Sequence, residues 1–125
     1  MENKTQTLIL RYEMALPTLN EYIEVERVNR HRAASLKKAW TQRVKWWTLE
    51  QCKTKLRGLY DLDIMWYRDC KRHDADNVYF GIKFLLDGIV AAGVLPGDDR
   101  KVIRDISNHI RQHKSNIVEI SFIKV

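Results

Sequence analysis

Two aspartates separated by a single residue, Asp74 and Asp76, are the side chains of this sequence best suited to chemistry. They lie between an apolar run that ends at Tyr67 and an amphipathic pattern that begins at Val78, where a strand should lead into a helix. Residues i and i+2 of an extended chain point to the same side, so both carboxylates can aim at one point. Two carboxylates held that close resist joint ionisation unless a cation lies between them. The spacing therefore indicates a site for Mg²⁺ or Mn²⁺, which prefer hard oxygen ligands.

The same stretch, Asp74-Ala75-Asp76-Asn77, also fits a helix cap. Asp and Asn side chains accept hydrogen bonds from the free N–H groups of a first helical turn, and acids there interact favourably with the helix dipole. The residue types of this stretch do not by themselves separate a cap from a metal site, so the rest of the sequence has to decide.

The composition indicates one basic globular domain spanning residues 1–125. An apolar content of 45% is too high for disorder, and 22 Lys and Arg against 16 Asp and Glu give a net charge of +6, as for a protein with an anionic partner. Cys52 and Cys70 are widely spaced, which is typical of reduced thiols. The polar N-terminus has no apolar leader, and no apolar run is long enough to span a membrane. We therefore predict a cytoplasmic protein without a membrane partner.

Hydrophobic periodicity predicts an α/β (α+β) fold, a small mixed sheet with two main helices. Alternating apolar residues predict four strands: Thr7–Met14, Leu59–Tyr67, Val102–Ile110 and Asn116–Val125. Asp61 and Asp63 should point to solvent from the second strand, and Arg111–Ser115 should join the last two strands as a hairpin. Three- and four-residue repeats predict helices over Ser35–Lys53 and Asn77–Ala92. The segment Leu19–Arg32 fits either a short helix or an irregular arm.

A stretch without acids, between Glu26 and Glu50, carries most of the predicted nucleic-acid-binding surface. A solvated helix face normally mixes Lys and Arg with Glu, so the missing acids favour a surface for a polyanion. The candidate DNA-binding residues are Arg27, Arg30, Arg32, Lys37, Lys38 and Arg43, with Lys71 and Arg72 beside the acid pair. Trp46 falls off the apolar stripe of Trp40 and Trp47. It fits either the edge of the core, which we favour, or an exposed ring that stacks on bases.

Four motifs occur in order across the middle of the chain. They are Arg72-His73-Asp74-Ala75-Asp76-Asn77, Lys83-Phe84-Leu85-Leu86-Asp87-Gly88, Ala92-Gly93-Val94 and Asp98-Asp99. In order and spacing they resemble the RusA family of Holliday-junction resolvases over about thirty residues, from Lys71 to Ile103. The flanks are similar only in outline, with a strand near the N-terminus and a strand pair near the C-terminus.

The resemblance implies a homodimeric, Mg²⁺-dependent endonuclease of phage or prophage type that resolves four-way DNA junctions. It implies a catalytic set of Asp74, Asp76, Asp99 and Lys83, in which the three aspartates hold the metal. Two features depart from the family pattern. Five residues rather than two separate Asn77 from Lys83, and the turn before Asp98 is one residue longer, which leaves Asp98 as an alternative to Asp99.

Two other functions fit the same residues: a non-catalytic protein that binds branched DNA, and a metal-dependent nuclease for flaps or other branches. A metal site that includes Asp99 requires this residue to lie near Asp76. A helix over Asn77–Ala92 would be roughly 24 Å long at 1.5 Å per residue, so Asp99 lies beyond its far end. Asp99 must therefore return toward Asp76 with the following strand, or come from a partner subunit. We expect the first, because Val102–Ile110 is apolar enough to pair beside Leu59–Tyr67.

Overall fold

The computed structural model describes residues 6–125, with side chains from Leu8 onward; residues 1–5, on which the prediction of a leader-free N-terminus rests, lie outside this range. The elements are, in order, β1 (Gln6–Tyr12), α1 (Leu19–Val28), α2 (Arg30–Gln51), β2 (Tyr60–Arg68), α3 (Ala75–Tyr79), α4 (Ile82–Ala91), β3 (Ile103–Gln112) and β4 (Ile117–Lys124). A mixed four-stranded sheet with helices confirms the predicted α+β class. No helix within residues 6–125 is long and apolar enough to cross a membrane.

The sheet has the strand order β1-β4-β2-β3, with β2 paired antiparallel to β4 and parallel to β3. The predicted hairpin between the last two strands is therefore wrong, because β2 lies between them. The link between β3 and β4 instead crosses the C-terminal end of β2, where the His113 N–H donates to the Arg68 carbonyl at 2.8 Å. Alternation of side chains identifies a strand but not its neighbour, which is why the sequence did not show this.

The alternating residues of β2 were predicted correctly. Tyr60, Leu62, Ile64 and Trp66 are buried on one face. Asp61 and Asp63 point to the other face and are only half-buried, where Asp61 accepts two hydrogen bonds from Arg104, at 3.0 and 2.6 Å. The core consists of the buried face of the sheet and the apolar faces of α2 and α4.

The N-terminal helices begin at polar caps. The side chain of Thr18 accepts from the Glu21 N–H and the Glu21 side chain reaches back, a capping box that starts α1. Asn29 separates α1 from α2, and its Oδ1 accepts from the N–H groups of His31 and Arg32 at 2.8 and 3.3 Å. The segment Leu19–Arg32 thus contains a short helix, and α2 starts five residues earlier than its apolar repeat predicted.

The helix predicted over Asn77–Ala92 is divided into α3 and α4. Between them, the N–H groups of Gly81, Lys83 and Phe84 donate to carbonyls three residues back, the tighter winding of a 3₁₀ turn. Gly81 lies in this turn, and a Cβ there would be 2.9 Å from the Leu16 Cβ. The division thus coincides with a close contact between Gly81 and Leu16, which periodicity alone does not reveal.

A second glycine, Gly88, sets the distance between α4 and α2. A Cβ at this position would overlap Cβ and Cγ1 of Val44 and lie 3.0 Å from the Thr41 carbonyl oxygen. One turn along α2, Thr48 bonds the hydroxyl of Tyr12 at 2.7 Å. Burial raises the pKa of Tyr12, so the phenol stays neutral and keeps this bond. The two helices are consequently held together tightly beside β1.

We predict that Gly88→Ala destabilises the fold. The added methyl group would overlap Val44, and overpacking of a tight core contact costs about 1–3 kcal/mol. Urea unfolding followed by circular dichroism measures the change. Gly97→Ala is the control, because a Cβ at Gly97 would meet nothing closer than 3.9 Å. Equal stability of Gly88→Ala and wild type would contradict the close helix contact.

Candidate metal and nucleic-acid site

Asp74 and Asp76 lie where the loop after β2 enters α3. Asp74 is at the N-cap position with extended backbone (φ −65°, ψ 153°), and its side chain makes no capping hydrogen bond. Asp76 lies in the first turn of the same helix. Both side chains are exposed, and within residues 6–125 neither carboxylate has a hydrogen bond or an ion pair. The geometry of Asp74 is therefore not that of a working helix cap.

The next residue, Asn77, adds an unsatisfied oxygen to this segment. Its Oδ1 is buried and has no hydrogen-bond partner within the described part of the chain. Buried polar atoms are almost always paired, so an orphan of this kind indicates a water, an ion or a ligand group. Two free carboxylates and one orphaned amide oxygen thus fall within four consecutive residues, and all three are hard oxygen donors.

Asp99 lies at the opposite end of the sheet. Its carbonyl accepts from the N–H groups of Val102 and Ile103, just before β3, and Ile103 pairs with Tyr60 at the start of β2. Asp74 follows the other end of β2, which is nine residues long, or roughly 30 Å at ~3.3 Å per residue. The chain therefore does not bring Asp99 to the acid pair.

The expected route for Asp99 within one chain is accordingly wrong. A strand does return beside β2, as predicted, but it is parallel to β2, so its first residues lie at the wrong end. Across residues 6–125, no three His, Cys, Asp or Glu side chains come close enough to hold a metal ion. Asp99 also has a local role, because its Oδ1 accepts from the Lys101 N–H at 2.9 Å. Of the three predicted ligands, only Asp74 and Asp76 lie in one short segment of the chain. Asp76 is in the first helical turn, so the extended backbone that was expected to aim both carboxylates at one point is absent.

Lys83 and Asp98 lie in other parts of the structure, on α4 and in the turn after it. Lys83 is exposed at the start of α4, and the 3₁₀ turn separates it from the helical turn that contains Asp76. Asp87, one turn after Lys83, lies 3.9 Å from Lys37 of α2. Asp98 lines an open groove of about 510 Å³ between α2 and α4, together with Lys37 and Asp87.

The candidate DNA-binding residues are all exposed. Arg27, Arg30, Arg32, Lys37, Lys38 and Arg43 lie along the end of α1 and the first two-thirds of α2, and Lys71 and Arg72 precede the acid pair. Trp46 is 59% exposed, so the preferred interpretation of this ring as core is wrong. Lys45 lies 5.5 Å from its centroid. The surface of α2 thus presents cations and a free indole, the two groups that single-stranded nucleic acids contact.

Arg68, at the end of β2, was missed by the reasoning from sequence. It is only 9% exposed and lines a pocket of about 250 Å³ with Lys71, His73, Ala75 and Arg111. Its position was readable, because it continues the buried alternation of Tyr60 to Trp66. A charged residue at a buried position of a strand is the signal that could have found it.

No protein-family model matches the chain, and a search of curated proteins finds no significant match. The likeness to the RusA resolvases therefore depends on the motif residues of the sequence alone.

We predict that Asp74→Ala leaves stability nearly unchanged in EDTA, within about 0.5 kcal/mol of wild type. The side chain of Asp74 caps nothing, so its removal breaks no hydrogen bond. Thr18→Ala is the positive control, because loss of that capping box should cost about 0.5–2 kcal/mol. Denaturant unfolding measures both. A loss at Asp74→Ala as large as that at Thr18→Ala would establish the cap and contradict the geometry.

Proposed function

We propose that this protein is a Mg²⁺-dependent endonuclease that cuts four-way DNA junctions, with Asp74 and Asp76 at the centre of its site. The observation that carries the proposal is the pair of exposed carboxylates without protein partners, next to the orphaned Oδ1 of Asn77. The Asp74 side chain makes no capping hydrogen bond, and neither acid pairs with a cation within residues 6–125, so both carboxylates are available to a ligand. The ordered resemblance to RusA resolvases gives such a site its substrate and its reaction.

The oxygen donors of this segment suit Mg²⁺ or Mn²⁺. Asp74, Asp76 and Asn77 would hold Mg²⁺ or Mn²⁺ through oxygen atoms, and these metals need only a few protein ligands because they retain water. Such an ion supplies a Lewis acid for the phosphodiester and lowers the pKa of an attacking water. Lys71 and Arg72, exposed just before the pair, would neutralise backbone phosphates and position the duplex. Lys83 is a candidate for contacting developing charge on the phosphate.

The third acid would come from a second copy of the chain. Asp99 and the acid pair lie at opposite ends of the β2–β3 pair, so a two-fold axis can bring the partner subunit's Asp99 toward Asp74. β3 is an edge strand of ten residues. If the β3 strands of two subunits paired antiparallel, the start of each strand would lie beside the end of the other. Each dimer would then contain two sites, matching the paired cuts that a four-way junction requires.

We predict that Asp74→Asn, Asp76→Asn and Asp99→Asn each abolish Mg²⁺-dependent cleavage of a four-way junction. Asn keeps the shape and removes the charge that holds the cation, whereas junction binding in EDTA should persist or tighten because carboxylates repel phosphate. Asp98→Asn should be milder. Glu13→Gln, an exposed acid in the loop after β1, is the control. Cleavage by Asp76→Asn at the wild-type rate would refute the metal site and favour a non-catalytic DNA-binding protein.

Mixed dimers test whether Asp74 and Asp99 of one site come from different chains. Coexpressed Asp74→Asn and Asp99→Asn chains would form a heterodimer with one intact site and one doubly defective site. We expect this mixture of two inactive variants to nick one strand of the junction. A site within one chain would instead leave every heterodimer inactive. Flaps and linear duplex belong in the same assay, since preferential cutting of flaps would assign the nuclease to another branched substrate.

We predict that Arg30→Gln with Lys38→Gln weakens binding to all DNA structures and flattens the salt dependence. Both residues are exposed and have no partner acid within the described chain, while Lys37 contacts Asp87. Each lost phosphate contact should reduce the slope of log K against log salt by about 0.9. Fluorescence anisotropy at several salt concentrations measures it. Lys53→Gln with Lys55→Gln, in the loop before β2, is the control, and equal slopes for the two double variants would exclude the α2 surface.

A further inference from the structure

The pocket at the C-terminal end of β2 is built from cations. Its lining includes Arg68, Lys71, His73 and Arg111, and no carboxylate contributes to it. Arg68 points to the core side of the sheet because it follows Trp66 by two residues, and the loop before α3 leaves it 9% exposed. The pocket is therefore lined by a largely buried arginine, and none of the described residues that line it is an acid.

The guanidinium of Arg68 lacks a partner in the described chain. Within residues 6–125 it makes no hydrogen bond, ion pair or ring contact, and only its main-chain carbonyl is used, by the His113 N–H. Arg104 shows the usual arrangement, with two hydrogen bonds to Asp61. Burial of a charge is costly unless a counter-charge and hydrogen bonds replace the lost water. An anion in the pocket would supply the counter-charge and hydrogen bonds that no described residue gives to Arg68.

The geometry of a guanidinium narrows the choice of anion. Its planar fork of five donors matches the paired oxygens of phosphate or carboxylate groups. Ala75, which lines the pocket, separates Asp74 from Asp76, so a group bound at Arg68 would border the acid pair. A DNA strand that places one phosphate at the acids necessarily offers another nearby.

We propose that this pocket binds a backbone phosphate of the nucleic acid next to the phosphate that is cut, with Arg68 as its principal donor. The identity of the ligand rests on the proposed nuclease function, whereas the affinity for phosphate rests on the pocket alone. Arg68 is a binding residue that fixes the register of the strand. The same chemistry would accept a terminal 5′-phosphate, and the experiments below separate the two sources.

The first experiment uses inorganic phosphate and the full-length protein. Thermal unfolding is recorded in phosphate and in chloride at equal ionic strength for wild type, Arg68→Gln, Arg68→Lys and the exposed control Arg57→Gln. Phosphate stabilises folded proteins in general, so the decisive quantity is the difference between variants. We expect an extra rise in Tm for wild type and Arg57→Gln, a smaller one for Arg68→Lys, and none for Arg68→Gln.

Equal phosphate effects on wild type and Arg68→Gln would overturn the proposal. If Arg68→Gln does not fold, the comparison of Arg68→Lys with Arg57→Gln decides, and equal effects on those two would overturn it likewise.

The second experiment locates the phosphate in a four-way junction. Neutral methylphosphonates replace single phosphates around the crossover, and binding is measured in EDTA so that cleavage is not required. We expect one position, adjacent to the cut, to weaken binding by wild type but not by Arg68→Gln, the coupling of a direct contact. Sensitivity only to removal of a 5′-phosphate would overturn the backbone assignment in favour of a terminus.

The two experiments distinguish failure of the pocket from failure of the nuclease. If the protein never cleaves junctions but Arg68→Gln abolishes the phosphate response, the proposed pocket stands and the proposed nuclease reaction fails. If the protein cleaves junctions but wild type and Arg68→Gln respond identically to phosphate and to methylphosphonates, the proposed reaction stands and the proposed pocket fails.

Discussion

Two parallel strands that are neighbours in a sheet must be joined by a chain that travels back along the whole length of the first strand. In this protein α3 and α4 make that return between β2 and β3, and the conformation of the central segment follows from it. The crossover leaves the sheet beside Asp74 and Asp76 and rejoins it after Asp98 and Asp99. The acids that the motif order brings into one group are thereby separated by the length of a strand. A site that uses all of them needs two chains.

Two unsatisfied polar groups lie at one end of this crossover. Several polar side chains elsewhere in the fold are paired: Thr18 with Glu21, Asn29 with two N–H groups, and Tyr12 with Thr48. Near the end of β2, by contrast, the buried Oδ1 of Asn77 and the guanidinium of Arg68 lack partners within residues 6–125. Proteins commonly violate local rules where they bind something. The clustering therefore supports a ligand at this end more strongly than either orphan alone.

Much of the architecture was readable from the sequence because it depends on local repeats. The alternation of β2, the existence of the other strands and the apolar stripe of α4 all follow from periods of 2 and 3.6 residues. Contacts between distant segments were not readable. Three features depend on contacts between segments that are distant in sequence: the position of β2 between β3 and β4, the 3₁₀ turn at Gly81 where Leu16 approaches, and the exposure of Trp46. For the candidate site, adjacency in sequence was enough to select Asp74 and Asp76, and the alternation of β2 could have located Arg68. The distance of Asp99 from the acid pair required the topology.

The pairing of β1 with β4 bears on how the chain reaches this fold. β1 has no other neighbour in the sheet, and its Leu10 pairs with Ile120, so this pairing joins segments from the two ends of the described chain. During synthesis β1 emerges before β4 and stays without its partner strand until β4 has been translated. Such long-range closure slows folding and leaves an aggregation-prone edge in the interim. A ribosome-bound chain that ends before β4 would also leave one side of β2 uncovered, so the loop that carries Asp74 would form on a sheet that is still open.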